Sequence, residues 1–415
     1  MGRTQVGPVT IRVRYELETH RGGGIMVNAE RALFELRQGR PVFLTRAGSR
    51  DRGVVMAPVE ALRDETLNAL RAFSPKPLTL VVTHHRARVL GVGAGTSANG
   101  NGNGNGVRSD GAALPGLTLT LDARHDPRRI LLLASASAPS TLGGEAFRAA
   151  RREEQAGLTL ARLGRLLPAL VAVEVEAGTG TPLRRRLAEG DLLGIPVEEV
   201  EALAGAPQLE VTHVSDAPVP LAVSERTRFI LFRETHGFFQ HVAILIGDRN
   251  EWPDPVPVRL HSACLTGDLF RSLRCDCGEQ LQMSLELMTE QGGGVLLYLE
   301  QEGRGIGLGN KLRAYSLQEE GLDTVDADGA LGFGADERRY DSAVEILRRL
   351  EVGRIRLLTN NPAKVAAVRE GGIDVVDRQP LHGTLNRHNL PYVRAKVRRA
   401  GHWLEDMLAE ALPPE

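Results

Sequence analysis

Residues 261–280, HSACLTGDLFRSLRCDCGEQ, contain every cysteine of a 415-residue chain: Cys264, Cys275 and Cys277, spaced C-x10-C-x-C. A chain that uses cysteine so sparingly and gathers it in one stretch is built to bring the thiolates together. Three thiolates leave one position of a tetrahedral zinc open, which is the arrangement of a catalytic rather than a structural site. Water at such a site has its pKa lowered towards about 7 and becomes a usable nucleophile. The plainer alternative is three small buried thiols, since C-x-C with one distant partner is less diagnostic than paired C-x2-C motifs.

The flanking sequence places this stretch between a strand and a helix. Val258 to Leu260 reads as a strand running into the first cysteine, and 278–291 as a helix leaving the last, followed by a strand at 294–299 (GVLLYL). Towards the C-terminus, helices are expected at 310–320, 342–350 and 363–370, with a loop between the first two. Strands are expected at 354–358 (RIRLL) and 373–376, and the tail from His402 is amphipathic. Towards the N-terminus, 229–233 and 242–247 (VAILIG) read as strands, and 207–220, bounded by prolines, as part of a link.

Before that link, Asn28 is placed to cap a helix over 29–38, ahead of strands at 41–45, 78–83 and 170–175, with a helix around 149–166 and a closing helical segment at 190–204. The segments LTLTLDA and RILLLASA add further regular structure. Residues 91–116 collapse around an Asn-Gly alternation whose core has no apolar side chain to bury, which reads as a disordered surface loop inserted in one domain. The expected organisation is a flexible lead (1–24), a first domain (25–206), a linker (207–223) and a second domain (224–415). Alternating strands and helices make both domains α/β, in the broad sense that includes α+β.

Composition narrows the classes. Fifty-one basic against 52 acidic side chains leave a net charge of −1, so no global field draws the chain to nucleic acid or an anionic membrane. No run approaches the roughly 20 apolar residues that span a bilayer. Three clustered cysteines do not suggest a disulfide framework, and a reducing cytoplasm is the expected setting.

Three later segments carry charge or glycine at strand ends. Gln301-Glu302-Gly303-Arg304-Gly305 follows a strand and reads as either a turn or a ligand loop, glycine allowing close approach and arginine able to clamp an anion. Asp336-Glu337-Arg338-Arg339 follows Gly332-Phe333-Gly334, and an exposed solvated run is its ordinary reading. Thr359-Asn360-Asn361-Pro362 with Lys364 precedes a helix N-terminus, where free amides favour anions. Tyr315 shares a helical face with Lys311.

Taken jointly, RLHSACLTGDLFRSLRCDCGEQL, LLYLEQEGRGIGLGNKLRAYSLQ, GLDTVDADGALGFGADERRY and RLLTNNPAKV resemble GTP cyclohydrolase II, as does the closing NLPYVRAKVRRAGHWL. The resemblance spans roughly 224–404. It implies a zinc- and magnesium-dependent homodimeric hydrolase of riboflavin biosynthesis. Such an enzyme opens the imidazole ring of GTP, releasing formate and pyrophosphate and yielding 2,5-diamino-6-(5-phosphoribosylamino)pyrimidin-4-one. By the same matching, Cys264, Cys275 and Cys277 hold one zinc, which activates the water that attacks C8 of guanine. Arg338 is the nucleophile towards the α-phosphate, Asp336 its proton acceptor, and Tyr315 lies near the base. GTP, with Mg2+ on its triphosphate, contacts Arg259, His261, Ser262, Gln280, Glu302, Gly303, Arg304, Thr324, Thr359 and Lys364.

One position departs from the family pattern: Ala263 stands where H-S-E-C has glutamate. Glu300 or Glu302 could compensate. Otherwise the nucleotide or product changes, as in related proteins of uracil catabolism; a non-catalytic nucleotide-binding protein is the third reading. The first half resembles 3,4-dihydroxy-2-butanone-4-phosphate synthase in ERALFELRQGRPVFLT and LTLARLGRLLPALVAVEVE, with Glu174 at a matching acid. The acid-rich run expected after the first strand is replaced by Arg46-Ala47-Gly48-Ser49-Arg50-Asp51-Arg52, and Arg152-Glu153-Glu154-Gln155 lacks the expected histidine. A catalytically silent relic is the expectation for that half.

Overall fold

The computed structural model describes residues 27–49, 52–92, 116–137, 147–176, 181–205, 210–235, 239–404 and 408. The expected lead at 1–24, the Asn-Gly stretch at 93–115, and Arg50 and Asp51 lie outside them.

The strands form two seven-stranded sheets. The first contains β1 (Val42–Thr45), β2 (Arg52–Pro58), β3 (Thr79–Val82), β4 (Leu117–Thr120), β5 (Phe147–Ala149), β6 (Ala169–Glu176) and β7 (Leu193–Pro196), ordered β5-β4-β3-β6-β2-β1-β7. Its pairings are antiparallel except β1 with β7.

The second sheet contains β8 (Val211–Pro218), β9 (Thr227–Glu234), β10 (Gln240–Ile246), β11 (Val256–Ser262), β12 (Gly294–Leu299), β13 (Arg354–Leu358) and β14 (Asp374–Gln379), ordered β14-β13-β11-β12-β10-β9-β8. The run from β14 to β12 is parallel and the rest antiparallel. The parallel centre is buried on both faces, as parallel strands with helical crossovers must be. Pro257 to His261 are accordingly buried without alternation. Neighbouring strands β13, β11 and β12 therefore end along one edge of the sheet, where open α/β sheets place their ligands.

The α/β expectation holds, in mixed form, and several element expectations are corrected. Part of the expected link at 207–223 is β8, an edge strand with only Val211 buried; polar one-sided edges carry little apolar signal. The helical segment expected over 190–204 begins with β7, too short for periodicity to reveal, before the helix Val197–Ala204. Asn28 lies inside the helix Val27–Arg37 instead of capping it. The loop expected before 342 holds a helix, Thr324–Ala330, whose Asp323 cap accepts from the amides of Val325 and Asp326 at 2.8 Å each. RILLLASA is helical, within Pro127–Ser135, and a further unanticipated helix spans Leu390–Ala400.

The second sheet's own core lies around Ile230, Val258, Leu297, Ile346 and Leu357. A different cluster joins the halves. Ile306, Ala314, Leu317, Ala327, Leu331 and Phe333, all from the second half, pack with Phe43, Leu80, Leu119, Ile130 and Val171 of the first. Phe333 is 1% exposed in that shared core. Phe333→Ala should therefore cost roughly 3–5 kcal/mol, the usual range for a buried Phe truncation. Urea unfolding followed by both far-UV circular dichroism and tryptophan emission should show one shared transition; two separated transitions would contradict a common core.

Candidate active site

β11 delivers Arg259, His261, Ser262 and Ala263 to the sheet edge, and Cys264 follows at the start of a short helix, Leu265–Asp268. The chain then loops to Cys275 and enters the helix Cys277–Glu290. The three sulfurs lie within 4.8 Å of one another, with Cys264 Sγ 3.7 Å from Cys275 Sγ. Sulfurs sharing a tetrahedral zinc at Zn–S of about 2.3 Å sit roughly 3.8 Å apart, so the donors fit that ion. A Cβ on Gly267 would lie 2.8 Å from Cys275 Sγ and 3.0 Å from Cys264 Sγ, so only glycine leaves room for the cluster.

The charge state of the sulfurs also calls for a cation. Hydrogen bonds from the Cys275 and Cys277 thiols, with the Lys311 ammonium beside them, hold Cys264 far below the ordinary thiol range. Donating to Cys264 pushes Cys275 up to about 11, and Cys277 is raised as well. Like charges in one site cannot all form without compensation, so a bound divalent cation is what makes three thiolates attainable. Lys311 Nζ lies 3.2 Å from Cys264 Sγ and 2.7 Å from Glu302 Oε1.

The surrounding side chains are fixed in turn. Asp268 accepts from Cys264 N and from the Tyr298 hydroxyl, each at 2.9 Å, and lies 3.1 Å from His261 Nε2. His261 stacks on Tyr298 at 5.5 Å, and burial lowers its pKa. Glu302 accepts from the Leu265 amide at 2.6 Å. Gly303 and Arg304 both adopt positive φ (63° and 58°), unusual and costly for the arginine, whose guanidinium bonds Asp328 and the Thr324 carbonyl.

Beside the sulfurs, a buried chain of contacts runs from Lys396 Nζ to Asp276 (2.9 Å), through Gln280 Nε2 to Asp276 (2.5 Å), to Arg259 Nη2 on Gln280 Oε1 (2.6 Å). Burial opposes the Asp276 anion, but the Lys396 ammonium overrides it and holds the carboxyl at about 2. Lys364 Nζ donates to Leu260 O at 2.7 Å and has no carboxylate partner among the described residues. Burial, with Arg259 and Arg338 nearby, drives Lys364 well below the ordinary lysine range. Arg259 Nε and the Tyr340 hydroxyl are buried without partners. Arg338 is held by Asp336 through Nε (2.9 Å) and Nη2 (2.5 Å); burial opposes its charge, but Tyr340 and Asp336 together override it and raise its pKa.

One cavity of 480 Å³ is lined by all three cysteines and by Arg259, His261, Ser262, Gln280, Glu302, Gly303, Arg304, Tyr315, Thr324, Arg338, Thr359 and Lys364. Asp336 does not line it. It faces a second cleft of 430 Å³, between the halves. Sequence reasoning missed Lys311 as a neighbour of the sulfurs, and Asp276, Asp328 and Lys396 as partners of the cavity's polar groups. Their only signal was position inside the quoted motifs. Neither acid offered as a replacement at position 263 is free: Glu302 is engaged as above, and Glu300 accepts from Gln240 N at 2.8 Å, away from the cavity lining.

In the first half, Glu174 is consumed by ion pairs with Lys76 (3.2 Å) and Arg151. The fully buried Glu154 is bound by Arg148 at 2.6 and 2.7 Å.

Comparison with known proteins places the chain. Residues 212–380 match the family described as GTP cyclohydrolase II. A GTP cyclohydrolase-2 of Xylella fastidiosa is 41% identical over 386 residues, covering 92% of this chain and 89% of that protein. The chain belongs to the GTP cyclohydrolase II family. A GTP cyclohydrolase-2 of Haemophilus influenzae is 49% identical over 165 residues, 40% of this chain and 76% of that protein. A solved two-domain 3,4-dihydroxy-2-butanone 4-phosphate synthase, RibBX of A. baumannii, is matched over 86% of this chain and 99% of its own at 16% identity, with a TM-score of 0.33 too low to bear on fold or function. As a family member the chain is a hydrolase, and among its described residues no helix is long and apolar enough to cross a membrane.

The glycine beneath the sulfurs gives a sharp test. Gly267→Ala should abolish stoichiometric zinc while leaving far-UV circular dichroism unchanged. Zinc content near one per chain in that variant would show that the sulfurs do not form the metal centre.

Proposed function

We propose that the 480 Å³ cavity binds GTP and hydrolyses its imidazole ring, releasing formate and pyrophosphate and forming 2,5-diamino-6-(5-phosphoribosylamino)pyrimidin-4-one for riboflavin biosynthesis. The observation that carries this is the placement of a three-thiolate cluster and of Lys364 and Arg259, cations without carboxylate partners, on one cavity. Buried cations of that kind are costly until an anion enters, and a triphosphate accompanied by Mg2+ supplies it.

Zinc held by Cys264, Cys275 and Cys277 supplies Lewis acidity and lowers the pKa of coordinated water. The chain's own residues do the rest. Lys311 and Glu302 fix the polar rim beside the sulfurs, and Tyr315, under the Arg274 guanidinium at 4.9 Å, closes the base end. Lys364, Arg259 and Thr359 take the phosphates. Arg338 addresses the α-phosphate, and Asp336, hydrogen-bonded to its Nε and Nη2, is the group able to accept its proton. Gln280, His261, Ser262, Gly303, Arg304 and Thr324 complete the nucleotide contacts. The exposed Leu269, Phe270 and Leu273, 61–70% accessible beside the cysteines, support assembly as a homodimer. A cytoplasmic setting suits the reduced thiols. In the first half, the internal pairing of Glu174 and Glu154 supports loss of any synthase activity.

A second reading keeps the hydrolase and changes the nucleotide or the product. It is favoured by Ala263, which lines the cavity beside Cys264 while Glu300 and Glu302 are both engaged elsewhere.

Purified protein supplied with GTP, Mg2+ and Zn2+ should release formate and pyrophosphate, with the diaminopyrimidine identified by mass spectrometry. No formate from zinc-loaded protein would refute the reading. Lys364→Met should weaken apparent GTP affinity by roughly 10- to 100-fold, as expected for a lost charge-assisted contact of about 1.5–3 kcal/mol. Ala263→Glu should leave the product unchanged; a switch of product or preferred nucleotide would favour the second reading.

A further inference from the structure

We propose that the first half acts in cis as a positioning module for the GTP reaction, holding the segment 306–338 through Thr83, Arg86 and Arg162. The proposal rests on the GTP cyclohydrolase reading above. Its physical basis is where that segment is folded. Its buried apolar side chains, among them Ile306, Leu317, Leu331 and Phe333, pack in the core that contains the first half's residues, not in that of the second sheet. The same segment presents Lys311 and Tyr315 to the sulfurs and ends in Arg338. One wall of the cavity is therefore built on the neighbouring half.

Polar contacts fix the register of that wall. Arg86, 1% exposed, donates to Leu133 O and Ala330 O at 2.8 Å each and to Ala136 O at 2.6 Å. One guanidinium thus ties carbonyls at the C-terminal ends of two helices, one from each half, where a cation is favoured. Two residues on, Thr83 Oγ1 donates to Gly332 O at 2.7 Å. Arg162 then clamps both oxygens of Glu337, at 2.8 and 2.7 Å, between Asp336 and Arg338. Glu337 also accepts from Gly334 N at 2.7 Å, and its amide donates to Arg304 O at 3.0 Å. A Cβ on Gly305 would lie 2.8 Å from the Glu337 carbonyl, so the loop lies directly on the 303–305 turn. Among the described residues, the hydrogen bonds of Arg162 go to Glu337, through which it acts.

The test uses the full-length, zinc-loaded protein. Arg162→Ala removes an ion pair between a half-exposed arginine and the more buried Glu337, whose bond from Gly334 N remains, and Thr83→Val keeps the side chain's shape while removing both its bond to Gly332 O and its cap on the Arg86 amide. Each should lower kcat about 10-fold with KM for GTP changed less than 3-fold and zinc content preserved, the thermal midpoint falling by no more than a few degrees, and Arg162→Lys restoring part of the rate. Hydrogen–deuterium exchange should quicken across 330–340 and stay unchanged across 261–280. Wild-type kcat in both variants, or unchanged exchange across 330–340, overturns the proposal. Wild-type protein that leaves GTP untouched refutes the GTP reading instead, and exchange then decides the positioning alone.

Discussion

Three sulfurs within 4.8 Å of each other cannot all be thiolates unless a cation sits among them, and the second sheet is arranged around that constraint. Parallel strand β11 ends where Cys264 begins. Asp268 ties the Cys264 amide to His261 and Tyr298, and Gly267 omits the one methyl group that would intrude. The fourth contact comes from elsewhere in the chain: Lys311, on the helix Leu308–Glu319, reaches Cys264 Sγ and Glu302 together.

The cations on the same cavity have the inverse problem. Lys364 and Arg259 are buried with carbonyl or amide partners in place of carboxylates, and burial alone disfavours their charge. Each is stabilised when an anion enters, whereas Lys396 and Arg304 are already neutralised by Asp276 and Asp328. Among the described residues, Lys364 and Arg259 are therefore the cavity cations that gain most when phosphate enters. A ligand that carries a polar ring and several negative charges satisfies both needs, and GTP has that form.

Much of this was readable in the sequence because its signals are local. Cysteine spacing pointed to the sulfur cluster, strand-to-loop junctions to Glu302 and Thr359 on the cavity, and the short runs GVLLYL and RIRLL to β12 and β13 with their observed limits. What escaped depends on tertiary neighbours. Lys311 meets a sulfur 47 positions away, and Lys396 meets Asp276 across 120. Strand β8 was taken for a link because an edge strand with one buried residue carries almost no pattern. Phe333, between two glycines, gave no sign that it belongs to the core of the other half, and Arg162 looked like any solvated helix arginine.

The most direct measurement of the central claim is a crystal structure of the zinc-loaded protein with a non-hydrolysable GTP analogue, with anomalous data at the zinc edge. One zinc peak bonded to Cys264, Cys275 and Cys277, guanine beside it, and the triphosphate against Lys364 and Arg259 is the predicted result. Nucleotide bound outside this cavity, or a zinc peak away from the three sulfurs, would contradict the account.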